Sequence, residues 1–156
     1  MTIAPKLREH LERAGLEYRI VEHRETPSAS RSAEAAHAPG DRVAKAVLLR
    51  DEKGYVLAVL PSTHQVQLKA VGRLLNRRLE LASEQQISEA FPDCAVGALP
   101  PAGAAYGLEV LLDESLAGQP EVYFEAGDHT RLIGLSGAGF RKLLADARHG
   151  RFSHHV

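Results

Sequence analysis

Three groups of residues in this chain have the types and spacing to do chemistry. The first is Lys45, inside Asp41–Pro61, DRVAKAVLLRDEKGYVLAVLP. Val43, Lys45, Val47 and Leu49 alternate with Ala44, Ala46, Leu48 and Arg50, so a strand here puts the ammonium on the face that carries three branched aliphatics. A cation so placed must snorkel to water at the strand's end, meet a carboxylate or await an anionic ligand, because an unpaired buried ammonium is costly. The second group is Ala95–Gly107, AVGALPPAGAAYG, with Gly97 and the pair Pro100–Pro101. Small residues and prolines fix an irregular backbone whose main chain a ligand can approach closely, as a pocket wall or as a stiff surface loop. The third is Gly127, Asp128 and His129, which close the run EVYFEA. Together they suit an anionic ligand with a small reacting group: the ammonium holds a phosphate, the rigid main chain places a carbonyl, and His129 lies near it.

The elements that must position these groups follow from periodicity and punctuation. Asp51–Gly54 is a polar, glycine-ended turn, so Val43–Arg50 and Tyr55–Leu60 read as the two arms of a buried hairpin. Upstream, Leu7, Leu11 and Ala14 have helical spacing and Gly15 caps that helix. Leu16–Val21 alternates like a strand, and Glu22–Ser32 is a polar connection that carries His23 and Thr26. Ser32 can cap a short helix over Ala33–His37. Downstream, Ser62, Thr63, His64 and Gln65 make a loop at the open end of the second arm, and Val66–Leu75 is helical. Leu79–Leu81 is a short extended piece, and Ser83 with Gln86 forms a capping box for a helix to Phe91. Leu108–Leu112, Glu121–Ala126 and Arg131–Leu135 read as strands, the last two as a hairpin, and Ser136 caps a final helix to Ala145. Residues 148–156, RHGRFSHHV, form an extended basic, histidine-rich tail.

Composition narrows the function classes. The 156 residues suffice for one domain with its own core, and 44% hydrophobic with 25% charged residues is ordinary for a globular protein. With 19 basic against 20 acidic residues the net charge is -1, which argues against coating nucleic acid by bulk electrostatics but allows contact with one end of an RNA. No apolar run approaches membrane-spanning length and the first residues lack the apolar core of a signal peptide, so a cytoplasmic protein without a membrane partner is expected. Cys94 is the only cysteine and reads as a packed thiol. His154 and His155 lack helical metal spacing, and the chain has neither a Walker loop nor a GxSxG elbow. No metal or cofactor is expected.

The order His23, then SAEAAHAPGDRVAKAVLL with Lys45, then VLAVLP, GALPP from Gly97 to Pro101, DESL from Asp113 to Leu116 and EAGDH from Glu125 to His129 resembles the YbaK/ProX family of aminoacyl-tRNA deacylases. That family includes the editing domain inserted in bacterial prolyl-tRNA synthetase, and the resemblance spans nearly the whole chain. It implies an α+β fold, a mixed, mostly antiparallel sheet with flanking helices. It also implies hydrolysis, in trans, of the ester joining a wrong amino acid to the 3′ end of a tRNA, and the alanines around Gly97 to Ala105 hint that this amino acid is small. By the same resemblance Lys45 and Gly97 are the catalytic candidates, Lys45 as an electrostatic clamp beside the terminal adenosine and Gly97 through its backbone. His23, Thr26, Ser62, Pro100, Gly127, Asp128 and His129 are the substrate-binding candidates. The partners implied are a mischarged aminoacyl-tRNA and a synthetase that delivers it. Ala46 after the lysine and Ala102–Gly103 after the prolines depart from the family pattern, so the substrate subclass stays open. A non-catalytic module that binds tRNA ends or a synthetase, and a hydrolase of another small ester or amide, are the competing readings.

Overall fold

The computed structural model describes residues 3–24, 32–33, 36 and 38–156. Among these it has five α-helices, α1 (Pro5–Arg13), α2 (Leu68–Leu75), α3 (Glu84–Ala90), α4 (Glu114–Ala117) and α5 (Gly137–Leu143). Its ten strands are β1 (Arg19–Glu22), β2 (Val43–Asp51), β3 (Gly54–Pro61), β4 (His64–Val66), β5 (Glu80–Leu81), β6 (Glu109–Asp113), β7 (Glu121–Glu125), β8 (Arg131–Ser136), β9 (Arg148–Gly150) and β10 (Ser153–His155). The main sheet runs β1-β8-β7-β2-β3-β6-β9, with β5 also on β2, and β10 pairs with β4 in a separate ribbon. Five pairings are antiparallel and three parallel, the mixed, mostly antiparallel α+β sheet expected.

The central hairpin forms as the alternation dictates. Ala44 faces Pro61 and the register runs without a break to Asp51 opposite Gly54. The Asp51 carboxylate accepts the Lys53 and Gly54 amides to close the turn, and the Arg77 guanidinium holds it far below the usual carboxylate range. The even-numbered side chains of β2, Ala44 and Leu48, join the larger core with Leu7 and Leu11 of α1, Phe140 of α5, Phe91 and Phe124. The odd-numbered Leu49 joins Val56, Leu60, Val71 of α2 and Phe152 on the other face. Burying several hundred Å² of aliphatic and aromatic surface on both faces, at roughly 25 cal/mol per Å², holds the hairpin at the centre of the fold. Lys45 is on the second of these faces.

Several boundaries move. Val66 is paired to Ser153, so α2 starts at Leu68 and not at Val66. The first strand is displaced to Arg19–Glu22, and the last helix ends at Leu143. The Ser83–Gln86 capping box forms in both directions, and Ser136 caps α5 through the Gly139 amide. Residues 148–156 pack onto the fold: β9 adds to β6 and β10 clamps β4, with Phe152 fully buried between them. The helix expected over Ala33–His37 falls largely outside the described residues. Among the described residues no helix is long and apolar enough to cross a membrane.

Candidate active site

Lys45 stands where the sheet opens. Along one edge of β2, Val43 and Ala44 pair in parallel with Tyr123 and Phe124 of β7. That ladder stops one residue short of Lys45 and Glu125, and β5 takes up the edge only at Leu49 and Arg50. Lys45 is half-buried, and among the described residues no hydrogen bond or ion pair engages its ammonium. Burial alone lowers its pKa. No described carboxylate pairs with it, so the ammonium is available to an anion that reaches this opening.

The glycine-proline wall and the Gly-Asp-His corner are joined by hydrogen bonds. The Ala95 amide donates to the Gly127 carbonyl at 2.8 Å. His129 Nε2 lies 2.9 Å from the Val96 carbonyl, and since a carbonyl only accepts, that nitrogen carries the proton. Gly97 is exposed with φ 88, and the Ala98 amide returns to the Ala95 carbonyl at 3.1 Å, a tight turn whose third residue requires a positive φ. Pro100 is buried and stiffens the wall behind that turn. Gly127 has φ 103, and a Cβ there would fall 2.7 Å from that of Ala4, the residue that begins α1. The Ala4 amide donates to the Ala126 carbonyl, and the Asp93 carboxylate accepts the Lys6 amide, so α1 is capped by the residue that leads into the wall. Tyr106 donates to Asp93 at 2.7 Å, and burial pushes the adjacent Cys94 thiol up to about 12, a packed and unreactive group.

We expect Gly127→Ala to lose about 2–4 kcal/mol of stability, from overpacking against Ala4 plus a positive φ, as read by chemical denaturation. Gly97→Ala must also take up a positive φ, which by itself costs about 1–2 kcal/mol, so any activity it loses beyond the measured loss of stability belongs to the wall's geometry.

The other candidates divide by what their polar atoms do. Asp128 is buried, but its carboxylate is engaged within the corner by the Thr130 amide and hydroxyl, at 2.9 and 2.8 Å, and by Arg131 at 3.4 Å. It shapes the turn that carries His129. The Ser62 hydroxyl donates to the Gly40 carbonyl at 2.8 Å and its amide to Val43 at 2.7 Å, which fixes the start of β2 just before Lys45. The His23 amide donates to the Thr130 carbonyl at 2.9 Å and its Nδ1 to the Arg24 carbonyl at 2.6 Å. Thr26 lies outside the described residues.

One group that sequence reasoning missed is Glu125, 1% exposed at the end of β7. Burial, reinforced by the Asp128 charge and only partly opposed by the Ser32 hydroxyl, pushes its carboxyl up to about 8. The Ser32 hydroxyl is a described donor toward this carboxyl, whereas the buried His23 Nε2 and His129 Nδ1 have no hydrogen-bond partner among the described residues. Buried acceptors without donors are rare and need a reason. The only sequence signal was position, Glu125 opening the EAGDH run. A separate cleft of about 600 Å³ at the turn of the central hairpin is lined by Arg50, Lys53, Arg77 and Arg78 among others, and by none of the candidate residues.

A family model described as the aminoacyl-tRNA editing domain matches residues 23–143. A solved structure described as a candidate trans-editing enzyme for prolyl-tRNA synthetase is 26% identical, covers 97% of this chain and 96% of its own, and superposes with a TM-score of 0.85. A scaffold protein from a computational epitope-grafting study is 24% identical over 98% of this chain and 97% of its own, with a TM-score of 0.82. A candidate signal transduction protein from Marinobacter aquaeolei shares the fold over 95% of this chain and 30% of its own, at 17% identity and a TM-score of 0.76. No curated protein matches the chain.

Proposed function

We infer what this chain does from the premise that it belongs to the aminoacyl-tRNA editing domain family: it is a deacylase that hydrolyses the ester between a wrongly attached small amino acid and the 3′ end of a tRNA. The observation that carries this reading is the half-buried Lys45 ammonium, without a described partner, at the opening of the sheet between β2 and β7. It holds the phosphate-bearing tip of the RNA. An aminoacyl ester is already activated, so hydrolysis needs an oriented water and stabilisation of the developing oxyanion more than a strong nucleophile. Gly97, exposed on its turn, offers backbone polar groups to the aminoacyl carbonyl, and the ribose hydroxyl of the substrate itself helps to place the water. Lys45 acts as a clamp and not as a base.

The alanines around Gly97 to Ala105, with Ala98 and Ala102 buried behind the turn and Ala104 exposed, favour a small aminoacyl group such as alanine, serine or threonine. With a net charge of -1, intrinsic tRNA affinity is weak and a synthetase delivers the substrate, which also sets the chain's place in the cytoplasm. The test is a panel of mischarged tRNAs incubated with wild type and Lys45→Ala. Turnover of one or more small aminoacyl-tRNAs, lost in the variant, supports the deacylase. Binding of tRNA with no turnover across the panel makes the chain a non-catalytic module, and turnover only of free small esters makes it a different hydrolase. Pull-down against synthetases reads the delivery step separately.

A further inference from the structure

The C-terminal strand builds a second polar group around β4, whose first residue, His64, follows shortly after Leu60, the residue paired with Lys45 across the hairpin. Pairing of β10 with β4 sets His155 opposite His64, with ring centroids 5.4 Å apart and planes at 65°. The Val156 amide closes the ribbon on the Thr63 carbonyl at 2.9 Å, and His155 Nε2 lies 3.4 Å from Asp41. Behind His64 runs a hydrogen-bonded relay. Its Nδ1 is 2.9 Å from Ser153 Oγ, and Ser153 Oγ is 2.8 Å from Asp113 Oδ2. The Phe152 amide reaches the same carboxylate oxygen at 3.1 Å, and the Ser115 amide and hydroxyl reach the other at 3.0 and 2.6 Å.

The direction of each bond in that relay follows from proton counting. Burial opposes the charge on Asp113, which is 3% exposed, but its donors hold it below the ordinary carboxylate range, so it is ionised at neutral pH and can only accept. Ser153 has one hydroxyl proton and gives it to Asp113. Its oxygen must then accept from the imidazole, which puts the proton of neutral His64 on Nδ1 and leaves Nε2 as a bare lone pair. Burial keeps His64 neutral, helped by His155 and Lys45 and opposed by Asp113 and Asp41. Among the described residues no hydrogen bond engages Nε2, and His64 as a whole is only partly buried.

We propose that His64 is a ligand-binding residue of the Lys45 site, its Nε2 accepting a hydrogen bond from a ribose hydroxyl of the nucleotide whose phosphate Lys45 holds, with Ser153 and Asp113 as positioning residues that fix its tautomer. An oriented acceptor beside a cation fits a ligand that presents a phosphate and a hydroxyl donor together, as a nucleotide does. The assignment of that nucleotide to a tRNA end rests on the deacylase reading; the tautomer does not.

The experiment is nitrogen-15 NMR of the histidines in the full chain, titrated with adenosine 5′-monophosphate and with its 2′,3′-dideoxy analogue. The expected result is His64 protonated on Nδ1, a shift of Nε2 with the monophosphate and none with the dideoxy form. His64→Asn, which keeps an amide donor toward Ser153 and has nothing in place of Nε2, should weaken monophosphate binding about tenfold, as loss of one hydrogen bond predicts, and leave dideoxy binding unchanged. Ser153→Ala should mix the two tautomers. A proton on Nε2, no response to the monophosphate, or equal responses to both nucleotides overturns the proposal. Intact tRNA compared with periodate-treated tRNA, whose terminal diol is destroyed, separates the two readings. A nucleotide response without any tRNA response leaves His64 in the site and removes the deacylase.

Discussion

Lys45→Ala is expected to lower the rate of deacylation by about 100-fold or more, the size found when one preorganised electrostatic contact is removed from a developing charge. The same change should leave the melting temperature equal to or above that of wild type. Burial alone lowers the pKa of Lys45, so in the unliganded protein the ammonium is a cost that no described partner offsets. Sites that hold strain for a ligand trade stability for activity in this way. Lys45→Met, which keeps an unbranched apolar stem without the charge, separates the two contributions: equally inactive, and at least as stable. A second readout is pH. The folded-state pKa lies below the ordinary 10.5, so activity should fall on the alkaline side earlier than for an exposed lysine, and stability should rise through the same window as the unfolded chain alone keeps the proton. A variant that is inactive because it has unfolded, or one that is destabilised by several degrees while still active, would show that Lys45 serves the sheet and not a ligand.

The parts of this fold that were legible in the sequence are those set by local chemistry. The β2–β3 register follows from alternation and from a turn closed by Asp51, and the α3 boundary follows from Ser83 and Gln86, three residues apart. Gly97 and Gly127 both have a positive φ, a backbone demand that a glycine in the sequence can mark. What stayed hidden depends on partners distant in sequence. Nothing near Val66 announces that Ser153 will pair with it, so helical spacing was read two residues too early. Ala4 offers α1 no side-chain cap, and the group that serves α1 instead is Asp93, 87 residues away. The tail looked like a solvated end because three-residue strands carry too little alternation to be seen; only Phe152, buried between them, was a clue. His64 and Glu125 were missed for the same reason. Each is defined by an environment that several elements build around it: β6, β10 and the turn at Gly40–Arg42 for His64, and the end of β7 with Ser32 and Asp128 for Glu125.

Glu125 carries the largest effect on stability. Its carboxyl titrates near 8 in the folded protein against 4.5 in an ordinary environment. Between those values the folded chain holds a proton that the unfolded chain has released, so stability is full below about pH 4.5, declines as pH rises, and has lost the whole contribution above about pH 8. The shift corresponds to a loss on the order of 5 kcal/mol across the window. Asp93, Asp113 and Asp128 act in the opposite sense, since their depressed values withdraw stability as pH falls through the acid range. Wild type should therefore be most stable under mildly acidic conditions. Glu125→Gln isolates the buried carboxyl, because the amide has nearly the same shape and never ionises. Denaturant midpoints at intervals from pH 4.5 to 8 should nearly coincide for the two proteins at the acid end and diverge steadily, the variant ending the more stable. Parallel curves across that range would mean that the carboxyl is ionised and paired at neutral pH, and the acceptors gathered at this corner would then have a donor already within the fold. Diverging curves mean that the folded protein keeps an uncharged carboxyl beside the His129 corner, one able to donate a hydrogen bond where a carboxylate could only accept.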